Sequence, residues 1–307
     1  MVDILLTGAT GQLGWEVTRR APAAGLTVTP LARDTLDITD RAAVRAAVAT
    51  HKPRLVLNAA AHTRVDKAED EERDETYAAN RDAPAYMAEA CAEQGAAFLH
   101  YSTDYVFDGT ATRPYREDDP TAPLGHYGQA KLEGERLVAE RAERYAILRT
   151  AWVFGVRGHN FVRTMVRLAQ AHPRLRVVDD QRGAPTFAGH LADAALALVP
   201  RLIDGTAGAE GYGLFHCAGG GEVSWCGFAR EIMARTAATT GKEPPVDAIT
   251  TAEFPTPAKR PAYSRLDGAK LARVHGIALP DWSDGLDAML AEFLPAWVEE
   301  QARAKAS

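Results

Sequence analysis

The stretch 3-DILLTGATGQLG-14 is an apolar run followed at once by Gly8, Gly11 and Gly14 at Gly-x-x-Gly-x-x-Gly spacing. At the end of a strand, such glycines allow a tight turn, close approach of the backbone to a pyrophosphate, and packing of the next helix on the strand. The amino terminus of that helix attracts phosphate charge. A merely flexible loop is the alternative, but the order of strand, turn and helix favours a dinucleotide site.

Beyond this turn, short apolar runs alternate with helix-like stretches, which is the pattern of a parallel sheet with helices on both faces. The predicted strands are 3–8, 26–31, 54–60, 97–103 and 146–151, and the predicted helices are 12–23, 40–51, 75–95 and one that opens at Tyr127. Asp40 stands at an expected N-cap, and Gly25 and Gly95 mark turns. The sequence therefore predicts an α/β fold with a Rossmann-type doubly wound parallel sheet, whose ligand crevice lies at the carboxyl ends of the strands.

The second half of the chain has longer irregular segments between its predicted elements. These elements are helices at 160–172, 189–204 and 224–237, strands at 174–180 and 212–218, and a terminal amphipathic helix with apolar residues Leu286, Met289, Leu290, Phe293, Leu294 and Trp297. The Pro-rich stretch 244–267 is too interrupted for regular structure, and we expect a long functional loop there.

These elements predict a dinucleotide-binding domain and a smaller, mainly C-terminal α/β substrate-binding domain. The first is expected to comprise residues 1–158 plus part of 184–218, and the second residues 159–183 and 219–307.

Composition limits the class of protein. The 307 residues are 46% hydrophobic and 25% charged, as in ordinary globular proteins. The net charge of −6 argues against general nucleic-acid binding. No apolar run approaches the ~20 residues of a membrane span, and no basic leader precedes the first strand, so we expect a cytoplasmic protein without a membrane partner. Three widely spaced cysteines, at positions 91, 217 and 226, suggest neither a disulfide framework nor a zinc site.

The segment 31-LARDTLD-37 follows the second predicted strand, where a Rossmann acid usually accepts hydrogen bonds from the adenosine ribose. Arg33 can instead pair with a 2′-phosphate, which favours NADPH as cofactor. Asp34 beside it can serve the opposite preference, so NADH is the alternative, and a simply solvated arginine is the third reading. Asp37 is assigned to the same cofactor site.

The stretch 127-YGQAK-131 opens a predicted helix, and its spacing puts Tyr127 and Lys131 on one face, one turn apart. Alone, such a pair is more typical of two amphipathic side chains with exposed tips. Two strand ends support a catalytic role: 58-NAAAHTRVD-66 has small residues against which a flat ligand can lie, and 102-STDYVF-107 has hydroxyls that can bind a substrate oxygen. Because all three segments lie near one sheet edge, we predict that Tyr127 is an acid and Lys131 the cation that tunes it.

Together these motifs resemble an extended short-chain dehydrogenase/reductase. The features concerned are the glycine turn, 58-NAAAHT-63, Asn80 in a helix, and Thr103 with Tyr127-x-x-x-Lys131. Further stretches are similar to the dTDP-4-dehydrorhamnose reductase family, namely 100-HYSTDYVFDG-109, 149-RTAWVFG-155, 179-DDQRGAPT-186 and 257-PAKRPAYSRL-266. The resemblance covers essentially the whole chain.

This resemblance implies reduction of the C4 ketone of a dTDP-4-keto-6-deoxyhexose by hydride from the nicotinamide, converting dTDP-4-dehydro-L-rhamnose to dTDP-L-rhamnose. Negative charge then develops on the carbonyl oxygen, which Tyr127 would protonate and Thr103 would hydrogen-bond. Lys131 would lower the pKa of the tyrosine from its usual ~10 and would hold the nicotinamide ribose.

The motifs and the resemblance together assign residues to each ligand. The cofactor residues are Gly8, Gly11, Gln12, Leu13, Gly14, Arg33, Asp37, Asn58, Ala59, Ala60, Ala61, Tyr127 and Lys131. The residues assigned to the dTDP-sugar are Val65, Asp66, Asp104, Tyr105, Trp152, Arg182 and Arg260. Trp152 as a core aromatic, and the two arginines as solvated surface residues, are the competing readings.

Two other functions compete with this one. A nucleotide-sugar 4-ketoreductase of secondary metabolism, of the dihydrostreptose synthase type, would act on a different deoxysugar. A regulatory subunit similar to the methionine adenosyltransferase beta subunit would bind an enzyme instead of a sugar. The set Asp104, Trp152 and Arg260 argues against the second, because a purely regulatory protein has no chemical need for it.

Assembly is where the sequence departs from the family. Some members dimerise around magnesium held by glutamates, and Glu16 and Glu292 match two of those positions, while Gly189 replaces the third glutamate. Magnesium prefers octahedral oxygen ligands, and the neighbouring His190 is a poor substitute. We expect no metal site, Glu16 and Glu292 as ordinary solvated residues, and a monomer or a dimer that is not bridged by metal.

Overall fold

The computed structural model describes residues 2–206 and 208–306. Its strands, in chain order, are β1 (Ile4–Thr7), β2 (Val28–Leu31), β3 (Leu55–Asn58), β4 (Ala97–Thr103), β5 (Tyr145–Thr150), β6 (Val153–Phe154), β7 (Leu175–Val178), β8 (Arg182–Gly183), β9 (Thr186–Phe187), β10 (Gly213–His216), β11 (Val223–Ser224) and β12 (Val246–Ile249). Its helices are α1 (Gln12–Arg20), α2 (Arg41–His51), α3 (Arg73–Tyr77), α4 (Ala83–Gln94), α5 (His126–Arg141), α6 (Phe161–Ala171), α7 (Ala188–Ile203), α8 (Trp225–Thr240), α9 (Ala269–His275) and α10 (Trp282–Ala306).

The main sheet contains six parallel strands in the order β10-β5-β4-β3-β1-β2. The chain passes from β1 to β2 on one side and then returns to β3 on the other, so the winding direction reverses beside β1. In such a sheet the ligand crevice lies outside the carboxyl ends of the strands at this reversal. The predicted α/β fold with a doubly wound parallel sheet is confirmed.

Alternation along β1 shows how the sheet fills two cores. Ile4 and Leu6 point to the face that α1 and α7 cover, whereas Leu5 points to the face that α2 and α4 cover. Because successive side chains of a strand point to opposite faces of the sheet, β1 contributes to both hydrophobic cores. All four β1 residues are buried. This double burial fixes the sheet and therefore the positions of its carboxyl ends.

A separate apolar cluster joins the second half of the chain. It combines α6, α8 and the first half of α10, including Val162, Phe228 and Leu286. The predicted apolar stripe of α10 packs into this cluster: Leu286, Met289, Leu290 and Phe293 are buried, and Leu294 and Trp297 are partly buried against it. The division into two domains at the predicted boundaries stays a prediction.

The Pro-rich stretch is more regular than expected. β12 lies within it and pairs in parallel with β7, so the expectation of no regular structure was wrong there. Pro244 and Pro245 come just before the strand, where they do not remove a donor from its ladder. The expected helix 75–95 is also divided, because a π-helical segment, Ala78–Asp82, separates α3 from α4.

Local signals for helix ends were accurate. The carboxylate of Asp40 accepts from the amides of Ala42 and Ala43, so it is the N-cap of α2. Gly25 and Gly95 adopt left-handed conformations where helical segments end. Among the residues described, no helix has the length and apolar content needed to cross a membrane.

Glu16 on α1 differs from its expected solvated state. It is 1% exposed, and its Oε2 accepts from the Nε atoms of both Arg19 and Arg20 at 2.8 Å. Arg19 also donates to Glu292 at 2.8 Å, and Arg20 donates to Asp193. The expectation was wrong because arginines three and four residues later lie on the same helix face as Glu16.

Candidate active site

The glycine turn after β1 leaves no room for side chains. Gly8 has φ +73°, and a Cβ there would lie 2.6 Å from the Ala60 nitrogen. A Cβ on Gly14 would overlap the carbonyl of Gly8. Leu13 packs against the core, and the Gln12 amide oxygen accepts from Asn160 at 3.0 Å. The turn therefore brings bare backbone to the start of α1.

A cleft of about 470 Å³ opens over this turn. Gly8, Gly11, Arg33, Asp37 and Ala59–Ala61 are among its lining residues. Glycine backbone at a helix amino terminus, small alanines and an arginine at the far end suit a pyrophosphate, a flat ring and a phosphate. The residues present thus fit a dinucleotide.

Asn58 has a structural position beside this cleft. Its side-chain oxygen accepts from the Thr7 hydroxyl at 2.7 Å and from the Ala60 amide at 3.0 Å, and its nitrogen contacts His100. The side chain is 1% exposed. It therefore shapes the loop of Ala59–Ala61 that lines the cleft.

Arg33 and Asp37 lie on the exposed rim of the cleft. Hydrogen bonds from Thr39 lower the pKa of Asp37, with a smaller contribution from the Arg33 charge. Within the described part of the chain, Arg33 forms no ion pair. Its guanidinium is free to bind an anionic group of the cofactor.

Tyr127 and Lys131 belong to α5, whose start is held by Glu69. The carboxylate of Glu69 accepts from the His126 amide at 2.8 Å, and Gly128 packs against the backbone of Tyr105. A carboxylate at a helix amino terminus is favourable because of the helix dipole. The first turn of α5 is thereby fixed next to the carboxyl end of β4.

Lys131 is buried below Tyr127. Its Nζ donates to the carbonyl of Tyr101 at 2.6 Å. Burial lowers its pKa to about 8, and the nearby Glu135 carboxylate opposes this effect. The lysine is therefore mostly protonated at neutral pH, and its pKa lies only slightly above that pH.

The expected effect of Lys131 on Tyr127 was wrong for this structure. Burial raises the pKa of Tyr127, the Asp104 charge raises it further, and the Thr103 hydroxyl opposes both. Desolvation prevails because the phenol lies against Tyr105, with ring centroids 5.5 Å apart, and the ammonium of Lys131 is turned toward Tyr101.

Asp104 completes this group of polar residues. Its pKa is raised to about 6 by burial, although hydrogen bonds from Thr103 and Ser264 oppose the rise. The Thr103 hydroxyl donates to its carboxylate at 3.0 Å. Asp104, Thr103 and Tyr127 thus meet at one point on the sheet edge.

Trp152 lies next to this point in a strained conformation. It has φ +50°, its indole nitrogen donates to Ser264 at 3.1 Å, and its ring stacks on Trp225 at 3.6 Å. A positive φ at a bulky residue often marks a functional position. Sequence reasoning assigned no role to Ser264, although it lies in the quoted stretch 257–266, or to Trp225, because both reach Trp152 only through the fold.

The remaining predicted sugar residues lie where the Pro-rich loop meets the first half of the chain. Arg260 donates to Asp66 at 2.8 Å, and the Ala258 amide donates to Asp66 at 3.3 Å. Val65 is partly buried. Burial raises the pKa of Tyr105 to about 12, while the Arg260 charge opposes this rise.

Arg182 lies on a different short strand and is mostly exposed. Its Nε donates to Glu222 at 2.8 Å, and Glu222 also accepts from Tyr263 at 3.0 Å. The next residue, Gly183, packs against the Trp152 ring. Arg182 therefore borders the tryptophan, but its charge and that of Arg260 are already paired with carboxylates.

Known proteins share this fold and chain length. The family model described as RmlD substrate binding domain matches residues 2–294. A dTDP-4-dehydrorhamnose reductase of Burkholderia thailandensis is 44% identical over 286 residues, which are 92% of this chain and 95% of that relative. The crystal structure of a dTDP-4-dehydrorhamnose reductase from Clostridium acetobutylicum is 41% identical, with a TM-score of 0.87, and the match covers 94% of this chain and 98% of that one.

A further solved structure contains the expected cofactor. The dTDP-4-dehydrorhamnose reductase from Bacillus anthracis, crystallised in complex with NADP, is 33% identical, with a TM-score of 0.87 and coverage of 95% of this chain and 99% of that one. The family model and these relatives extend over almost the whole sequence, including both halves of the site. The chain therefore belongs to the dTDP-4-dehydrorhamnose reductase family of extended short-chain dehydrogenases/reductases.

Proposed function

We propose that Thr103, Tyr127 and Lys131 catalyse an NAD(P)H-dependent reduction of dTDP-4-dehydro-L-rhamnose to dTDP-L-rhamnose. The chain is a reductase of this family, as its relatives establish. The observation that best supports the residue assignment is the meeting of Thr103, Tyr127 and Asp104 at the carboxyl end of β4. The sugar and the stereochemistry of its product are part of the proposal.

The reduced nicotinamide, when bound, supplies a hydride to C4 of the sugar. Tyr127 then gives its proton to the C4 oxygen. Its raised pKa keeps the phenol protonated at neutral pH, which is the form that a donor requires. Thr103 turns its hydroxyl from Asp104 to the same oxygen and stabilises the charge that develops there.

Lys131 contributes a buried positive charge close to these groups. Because its ammonium has donors besides the one used by Tyr101, it can also hold a ribose hydroxyl of the cofactor. We propose NADPH as the preferred cofactor, with Arg33 on its 2′-phosphate and NADH as the weaker alternative. The complex of the Bacillus anthracis relative with NADP supports this choice.

The sugar nucleotide is proposed to lie along Val65, Asp66, Asp104, Tyr105 and Trp152. Arg182 and Arg260 are proposed at its diphosphate, where they would exchange Glu222 and Asp66 for phosphate oxygens. A cytoplasmic location and the lack of nucleic-acid and membrane partners stay predictions from the sequence. We propose a monomer, or a dimer without bridging metal, as the assembly.

The test is a nicotinamide-oxidation assay with dTDP-4-keto-6-deoxy sugars generated in situ, followed by identification of the product. We expect oxidation of NADPH and formation of dTDP-L-rhamnose. Failure to oxidise NADPH with any such sugar would contradict a catalytic function, and a different 6-deoxyhexose product would move the assignment to another ketoreductase of the same class.

A further inference from the structure

Helix α5 carries a second buried charged residue, Glu135, in line with the two proposed catalytic residues. Glu135 follows Lys131 by four residues, as Lys131 follows Tyr127, so the three lie on one helix face. Lys131 is 3% and Glu135 is 5% exposed. An unpaired carboxylate one turn from a buried ammonium would form an ion pair with it, because attraction is strong where water is absent.

Arg149 on β5 donates hydrogen bonds to both oxygens of that carboxylate. Its Nε donates to one oxygen of Glu135 at 2.9 Å, and its Nη2 donates to the other at 2.6 Å. The guanidinium is 3% exposed and lies over the Phe107 ring at 5.1 Å. The planar guanidinium matches the two oxygens of the carboxylate, so both hydrogen bonds have a fixed geometry.

Lys131 is left with a neutral partner. It donates to the Tyr101 carbonyl, and it forms no ion pair with any carboxylate in the residues that the structure describes. The titratable groups that interact electrostatically with it are Glu135 on α5 and His100 on β4. Burial keeps the pKa of His100 well below its usual value, so that ring stays neutral between pH 7 and 10.

We infer that Arg149 is a positioning residue: by engaging both oxygens of Glu135, it prevents that carboxylate from closing on Lys131. This inference rests on the proposed function of Lys131. The ammonium then keeps its charge and its remaining donors for the cofactor ribose. The lowered pKa of Lys131 agrees with an ammonium that has no contact carboxylate.

A purely structural role is the competing explanation, because a buried ion pair also joins α5 to the sheet. Removing one partner of such a pair is strongly destabilising, whereas replacing both is often neutral. Loss of activity alone would therefore not distinguish the two roles. The titration of Lys131 distinguishes them, because only the positioning role predicts that Glu135 controls it after Arg149 is removed.

The experiment measures the pKa of Lys131 without cofactor in the parent, Arg149→Met, Arg149→Lys and Glu135→Gln/Arg149→Met. Urea unfolding is followed from pH 7 to 10, and each protein is compared with its own Lys131→Met counterpart to isolate the lysine. In Arg149→Met we expect the pKa to rise by about 1–3 units, the usual effect of an opposite charge in contact. The pH at which kcat/KM falls on the alkaline side should rise together with this pKa, and kcat should be reduced.

The double variant and the conservative variant complete the test. Glu135→Gln/Arg149→Met should lose the rise, because the carboxylate is gone. Arg149→Lys should show a smaller rise of the Lys131 pKa, since one ammonium can hold only one carboxylate oxygen. This variant replaces Arg149→Met in the test if Arg149→Met does not fold. An unchanged pKa in both single variants, or an equal rise in the double variant, would overturn the inference. Since these titrations need no turnover, an inactive parent would refute the proposed function without affecting them.

Discussion

Tyr127 is the residue on which the proposed chemistry depends most directly. Replacing it with phenylalanine removes the proton donor and keeps the ring that packs on Tyr105. Because a general acid typically accelerates a reaction by ~10²–10⁴-fold, Tyr127→Phe should lose turnover in that range while the Kd for NADPH changes little. Steady-state kinetics and fluorescence titration provide the two values. A loss below about tenfold would mean that another group donates the proton.

Lys131 should make folding stability depend on pH. Its pKa is about 8 in the folded protein, against a reference value of 10.5, so the unfolded chain binds more protons between these values. Stability should therefore rise with pH in this window, by up to about 3 kcal/mol relative to Lys131→Met. Urea unfolding of the two proteins at pH 7, 8, 9 and 10 would detect this. A difference in unfolding free energy between the two proteins that stays constant with pH would refute the claim that burial disfavours the charged form of Lys131.

Arg33, just beyond the end of β2, is expected to determine the choice between NADPH and NADH. It follows β2, lines the rim of the cleft and forms no ion pair among the described residues. NADPH should therefore give a higher kcat/KM than NADH, and Arg33→Ala should narrow the gap by weakening NADPH alone. Arg45→Ala is the matched control, because Arg45 is an exposed arginine that pairs with Glu93 on a neighbouring helix. Equal use of both cofactors by the parent would contradict the assignment.

At the scale of elements, the sequence predicted best where contacts are local. The strand of residues 97–103 was predicted to the residue because it is a continuous run buried on both faces. The helix face of Tyr127 and Lys131 followed from spacing alone. The contacts that Ser264, Trp225 and Arg149 make at the site could not be predicted, since each forms through tertiary packing. Glu16 could have been, because Arg19 and Arg20 stand at helical spacing from it.

For the whole molecule, the charges around Glu16 bear on assembly. Arg19 and Arg20 already neutralise Glu16 and reach Glu292 and Asp193 on two other helices. Gly189 offers no carboxylate, and a Cβ there would press on Phe187 and Arg20. A divalent cation would therefore have to displace two guanidinium groups and would lack ligands.

We therefore expect magnesium to leave the molecular mass in solution unchanged. Light scattering should be recorded on the purified protein with magnesium, after chelation, and after magnesium is restored. A dimer that dissociates on chelation and re-forms with magnesium would show that this expectation is wrong.

The central claim, that this molecule transfers a hydride from a nicotinamide to C4 of a dTDP-sugar, is tested most directly by isotope transfer. Dideuterated NADPH, carrying deuterium in both positions at C4 of the nicotinamide, is supplied with dTDP-4-dehydro-L-rhamnose, and the product is examined by proton NMR. The account predicts dTDP-L-rhamnose with deuterium at C4 of the sugar and protium at its other carbons. A reduced sugar with protium at C4, or oxidised cofactor without any reduced sugar, would contradict it.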